Sequence, residues 1–191
     1  MQVLLDLVGS VILVGTLILS IMGVNVNMTT ETFKSTTEFH IQTEVIQLSR
    51  IMEFDLAKMG YDVTSGKKIV TADTSRLKFK ANLWNVAGQM DSVEYILGSF
   101  VSNSTNPRDR VLTRYENMSG VLINYSITRF KLSYYKANGT LLSTPVTGAN
   151  LDSIDAVRIL MTIESPEPLG TDASSQYAAG YYEKLIYPRN L

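Results

Sequence analysis

The fold class predicted is α+β: a long N-terminal helix, transmembrane in its first part and amphipathic in its second, packed against a mainly antiparallel β-sheet head. Three observations carry this. An apolar run fills residues 3–26, apolar residues then recur mostly three or four apart up to residue 59, and after Gly60 the pattern turns to strand-like alternation broken by turn residues. At 191 residues the chain is long enough for one ordinary head and too short for two beside such a helix. The expected organisation is a membrane helix over residues 1–30, an amphipathic stalk over 31–60 and a β-rich extracytoplasmic head over 61–191.

The first element runs from Val3 to Val26, and Asp6 is the only charged side chain before Glu31. About 20 apolar residues at 1.5 Å each cover a ~30 Å hydrocarbon core, so this run is long enough to span a membrane. A cleaved secretory signal needs a basic start and a shorter apolar core, but here no Lys or Arg precedes Lys34. The run therefore reads as a retained anchor. A carboxylate in lipid costs on the order of 3 kcal/mol, so Asp6 calls for a cationic or donor partner. With no basic side chain nearby in sequence, the simplest cation is an α-amino group, of this chain or of a neighbouring one; the alternative places Asp6 close enough to the membrane edge to reach water. Gly9, Ser10, Gly15, Thr16, Ser20 and Gly23 are small residues that let apolar helices approach closely.

Between Val24 and Thr30 the residues are poor helix formers, and a local loosening of the helix is expected there. The helical period then returns, with Phe33, Ile41, Val45, Leu48, Met52, Leu56 and Met59 on one stripe and Lys34, Glu38, Glu44, Gln47 and Arg50 elsewhere. Ile41, Val45, Leu48, Met52 and Leu56 are the candidates for packing the stalk on the head. Gly60, with Lys58 in the last turn, closes the helix near Met59.

In the head, strands are expected at residues 68–72, 76–80, 93–97, 111–115, 121–124, 128–136, 156–164 and 181–187. Turn signals separate them at Ser65-Gly66, Ala87-Gly88, Asn106-Pro107, Ser119-Gly120, Asn138-Gly139 and Gly148-Ala149-Asn150. The segment from Ser165 to Ser175, rich in Pro, Gly, Ser and Asp, reads as an exposed loop and the best candidate for a contact or variable region.

Chemistry-bearing patterns are sparse. Seventeen basic residues face 18 acidic ones, which leaves no basic excess for a nucleic acid, and the absence of cysteine removes thiolate nucleophiles, disulfides and thiolate-bound metal. The single histidine, His40, has no second imidazole to join in a metal site or triad. Glu53 with Asp55, and Asp152 with Asp155, read as surface charge near a helix end or strand start more readily than as catalytic carboxylates. The late tyrosines, Tyr134, Tyr135, Tyr177, Tyr181, Tyr182 and Tyr187, fit alternating strand positions of a small core better than an interaction face. Asn-x-Ser/Thr sites at Asn27, Asn103, Asn117, Asn124 and Asn138 are candidate glycosylation positions. No catalytic residue, metal ligand or cofactor is expected, and the chain reads as a non-enzyme.

The order of anchor, stalk and sheet resembles the type IV pilin and type II secretion pseudopilin superfamily, in particular its PilW-like minor pilins and GspJ-like pseudopilins. The resemblance covers most of the chain. It is carried by Phe54-Asp55-Leu56-Ala57-Lys58-Met59-Gly60-Tyr61, by Val93-Glu94-Tyr95-Ile96-Leu97 with Leu112-Thr113-Arg114, by Leu132-Ser133-Tyr134-Tyr135-Lys136-Ala137-Asn138-Gly139, and by Pro188-Arg189-Asn190-Leu191. It implies a structural subunit that anchors in the inner membrane before assembly and then packs residues 1–30 in the core of an extracellular or periplasmic filament. Its partners would be identical or homologous subunits, the membrane and the assembly machinery. In that family an acidic residue near the mature N-terminus pairs with the terminal amine of a neighbour, and the matching position is Asp6, with Gly9 and Ser10 beside it as further candidate assembly residues. The chain departs from the family in having Asp for the usual Glu, no proline in the membrane helix and no basic leader ending in glycine before the apolar run. The second reading, from a different class, is a single-pass anchored binding module that does not polymerise.

Overall fold

The computed structural model describes residues 2–170 and 176–191, with all their side chains except those of Leu5, Leu122 and Asn124. Helix α1 spans Gln2–Ala57, 56 residues without a break, or about 84 Å at 1.5 Å per residue. The loosening expected over Val24–Thr30 is not found. The hydroxyls of Thr29, Thr30 and Thr32 donate to the carbonyls of Asn25, Val26 and Met28 at 2.9, 3.0 and 2.7 Å, so they turn inward on their own helix instead of competing with its backbone bonds. The helix ends at Ala57, two residues before the position expected, and a turn follows. Gly60 adopts φ +78° there, and a Cβ on it would lie 2.6 Å from the Asn190 carbonyl oxygen, so glycine fits both the backbone and the space.

The head is one open antiparallel sheet. Its strands are β1 (Ile69–Ala72), β2 (Arg76–Ala81), β3 (Asp91–Phe100), β4 (Arg110–Glu116), β5 (Ser119–Tyr135), β6 (Leu141–Leu142), β7 (Ala156–Glu164) and β8 (Ala179–Ile186). The order is β1-β2-β3-β4-β5-β7-β8, with β6 paired to β5. The described residues thus form an α+β protein with a mainly antiparallel sheet. Two expected strands, 121–124 and 128–136, are one: β5 runs for 17 residues, pairing with β4 along its first part and with β7 along its second. The register shifts in both ladders near Ile127, which is how one strand bends to serve two neighbours. The β4–β5 reversal lies at Asn117-Met118, with φ +50° and +70°, not at Ser119-Gly120, which already belongs to β5. Gly148–Ser153 forms a 3₁₀ turn.

The core lies between one face of the sheet and the distal third of α1. Leu48, Met52 and Leu56 are fully buried, Ile41 and Val45 nearly so, against Val157, Ile159, Met161 and Ile163 of β7, Phe130, Leu132 and Tyr134 of β5, and Leu77 and Phe79 of β2 in the same cluster. Each such aliphatic side chain contributes about 1.5–3 kcal/mol on burial. β8 makes more contact with α1 than any other strand. Gly180 explains how: a Cβ at this position would sit 2.6 Å from Val45 Cγ2 and 3.0 Å from Ile41 Cγ2, so only the bare backbone lets strand and helix approach this closely.

Asp55 corrects another expectation. It is not surface charge but is 1% exposed, and it receives the Tyr95 hydroxyl at 2.6 Å and the Arg114 guanidinium at 2.7 and 3.2 Å. A helix carboxylate that faces a sheet can be buried only where such donors meet it. Burial and the Asp55 charge push the Tyr95 hydroxyl well above its ordinary pKa, keeping it a donor. Burial works against the charged form of Arg114, but its bonds to Asp55 and Glu116 outweigh this and raise its pKa. Glu53, Asp152 and Asp155 are partly or fully exposed.

Candidate assembly and membrane surface

Among the described residues, none of the apolar window in the proximal part of α1 is buried against the head. From Val3 to Met28 the large apolar side chains that are described are open to the surroundings, with Val3 82%, Leu13 69% and Leu19 70% exposed. This helix is long and apolar enough to cross a membrane, and none of its apolar window is buried within the molecule. A surface of this kind has to be covered, by lipid or by other helices.

Asp6, Gly9 and Ser10 all lie on this exposed segment. Among the described residues Asp6 has neither an ion-pair nor a hydrogen-bond partner. The Ser10, Thr16 and Ser20 hydroxyls donate to the Leu7, Leu13 and Thr16 carbonyls at 2.8, 2.9 and 2.9 Å, so their polarity is satisfied within the helix. A Cβ on Gly9, Gly15 or Gly23 would meet nothing within 4 Å, so no contact inside the molecule calls for these glycines.

The stalk is fastened to the head by polar links as well as by its apolar stripe. Tyr182 and Lys184 of β8 both donate to Glu53, at 2.5 and 2.6 Å, and the bonds from Lys184 and then Tyr182 lower the Glu53 pKa. Arg114 reaches on to Glu116 at 2.8 Å, and Glu116 accepts the Trp84 indole N–H at 2.8 Å. The chain Asp55–Arg114–Glu116–Trp84 therefore runs from the buried face of α1 to the surface. In the sequence Asp55 reads as surface charge and Glu116 and Trp84 carry no signal, since pairing β3 with β4 is what brings Tyr95 and Arg114 side by side.

Comparison of the chain with protein-family models, with curated proteins and with solved structures gave no match to any of the three. The function therefore has to be argued from the geometry.

The other sequence candidates scatter. His40 is exposed, with the Phe39 ring beside it at 6.4 Å. Asn27, Asn103 and Asn138 are exposed, whereas the Asn117 amide is engaged, donating to Asp91 at 2.7 Å and accepting from the Ser92 N–H at 2.8 Å; the Asn124 side chain lies outside the described residues. Tyr134 is buried, Tyr135, Tyr177 and Tyr182 are half-buried, and Tyr181 and Tyr187 are exposed. Of the segment from Ser165 to Ser175, Ser165 is buried, Glu167 to Gly170 face Thr29, Thr30 and Phe33 across a cleft of about 680 Å³, and residues 171–175 lie outside the described residues.

Proposed function

We propose that this chain is a structural subunit of a type IV pilus-like filament, held in the inner membrane by α1 before assembly and polymerising through the same helix. The observation that supports the reading is the division of one unbroken helix into an apolar half that no described residue covers and a half that packs into the core of the head. In a membrane the first half faces lipid; in a filament it faces the same half of other copies, and the head is displayed outside. The lone carboxylate of Asp6 favours the second destination, because lipid offers it no cation whereas a neighbouring subunit does. The family resemblance in the sequence points the same way.

Negative-stain electron microscopy of sheared surface material, with the membrane fraction immunoblotted in parallel, tests this on cells making the native chain or Asp6→Ala. Native protein in filaments, and the substituted protein retained in the membrane, is the expected result. Native protein confined to the membrane, with no filament containing it, would instead make the chain an anchored binding module.

A further inference from the structure

We propose that the cleft between residues 29–33 of α1 and the loop at residues 167–170 lies in the headgroup layer of the membrane and holds a zwitterionic phospholipid, so that the anchored head rests on the bilayer. The proposal depends on the membrane anchor alone and holds whether or not the chain polymerises.

Depth carries the argument. The apolar run of α1 ends at Val26, and Asn27, Thr29 and Thr30 follow. With the end of that run at the edge of the hydrocarbon core, residues 29–33 of the unbroken helix lie about 5–11 Å beyond it at 1.5 Å per residue. The headgroup layer on each side of a ~30 Å core is about 5–8 Å thick, so the cleft opens within it. Tilt of the helix shortens the distance to the core and keeps the cleft at that level.

The head reaches this level because its loop is braced there. The Ser165 hydroxyl donates to the Glu167 carbonyl at 2.6 Å and accepts the Ala178 N–H at 3.1 Å, and the Leu169 N–H donates to the Gln176 carbonyl at 2.8 Å. Thr105, from the connection between β3 and β4, donates to the Pro166 carbonyl. The wall facing α1 is therefore set before any lipid arrives.

The lining selects the occupant. Phe33 on the helix and Pro168 and Leu169 on the loop give apolar walls that suit the upper part of an acyl chain. The Thr29 and Thr30 hydroxyls already donate to carbonyls of their own helix. Among the described residues Glu167 is the only charged group that lines the cleft, and it is exposed. A headgroup with a cationic amine meets that carboxylate favourably, whereas a purely anionic headgroup meets a like charge and no cation.

Gly170 offers a position for a reporter, since it is exposed, a Cβ on it meets nothing within 4 Å, and the chain has no cysteine. The full chain with Gly170→Cys carries a fluorophore in phosphatidylcholine vesicles, with and without a small fraction of lipid bearing a nitroxide on its headgroup. Met28→Cys, at the end of the anchor, and Met118→Cys, in the β4–β5 turn beside the Glu116 that holds Trp84, are the references. The label at 170 should be quenched about as strongly as the label at 28 and several-fold more than the label at 118. Replacing half of the phosphatidylcholine with phosphatidylglycerol should leave that pattern unchanged or weaken the quenching at 170. Quenching at 28 with none at 170 would overturn the proposal and leave the anchor in place. Quenching at 170 that appears only with phosphatidylglycerol would overturn the choice of lipid. Self-quenching at 170 that vanishes on dilution with unlabelled protein, with no quenching by the lipid, would give the cleft to a second copy instead. Absence of quenching at 28 would overturn the anchor and the proposal together.

Discussion

Replacing Arg114 with methionine isolates what holds the stalk to the sheet apart from apolar contact. The substitution leaves the Asp55 carboxylate, 1% exposed, with Tyr95 as its remaining side-chain donor. Breaking a buried ion pair costs about 3–5 kcal/mol, and since the Arg114 side chain retains 16% of its exposure the lower end applies, about 3 kcal/mol. Asp55→Asn removes the charge but keeps a polar group for Tyr95 and leaves Arg114 its bond to Glu116, so about 2 kcal/mol is expected. The double variant carries no orphaned charge and should lose less than the sum, with a coupling of at least about 1.5 kcal/mol. The assay is guanidinium unfolding of the full chain in detergent micelles, followed by fluorescence of Trp84, whose indole is bonded to the Glu116 that Arg114 holds. Additive effects, or a cost below about 1 kcal/mol for Arg114→Met, would mean that water reaches the carboxylate and that the buried pair is not what fastens the helix.

Two further outcomes follow from the same interface. Gly180→Ala should cost about 1–3 kcal/mol through overpacking against Val45 and Ile41, and Val45→Ala in the same chain should recover part of it, read in the same unfolding assay. Glu44 has its carboxyl pushed above its usual pKa by burial, with His40 pulling it partly back. Its folded form thus prefers the proton, so the stability it contributes is present at acid pH and is lost as pH rises through the ordinary carboxylate range to the raised value. Glu44→Gln should then raise Tm by about 1–3 °C at pH 7 and leave it unchanged near pH 4.

Periodicity made the helix and the alternating strands legible, because each burial pattern repeats within a few residues of itself. What it could not give was anything set by pairing across the sheet. Asp55 reads as surface charge until β3 and β4 place Tyr95 and Arg114 opposite it. The single bent β5 reads as two strands because the change of neighbour near Ile127 interrupts the alternation. Propensity misjudged residues 24–30, where each threonine spends its hydroxyl on its own helix. At the candidate surface Asp6 stands out as an isolated charge in the sequence.

Gly180 also sets the order in which the molecule can be completed. The strand that packs most closely on α1 is made after every other strand described, and almost the whole head separates Ile41 from the backbone it touches. During synthesis the anchor half of the helix is therefore available to the membrane while the stripe of Ile41 and Val45 still awaits its cover. The segment long enough to cross a membrane is thus complete before the core of the head can close.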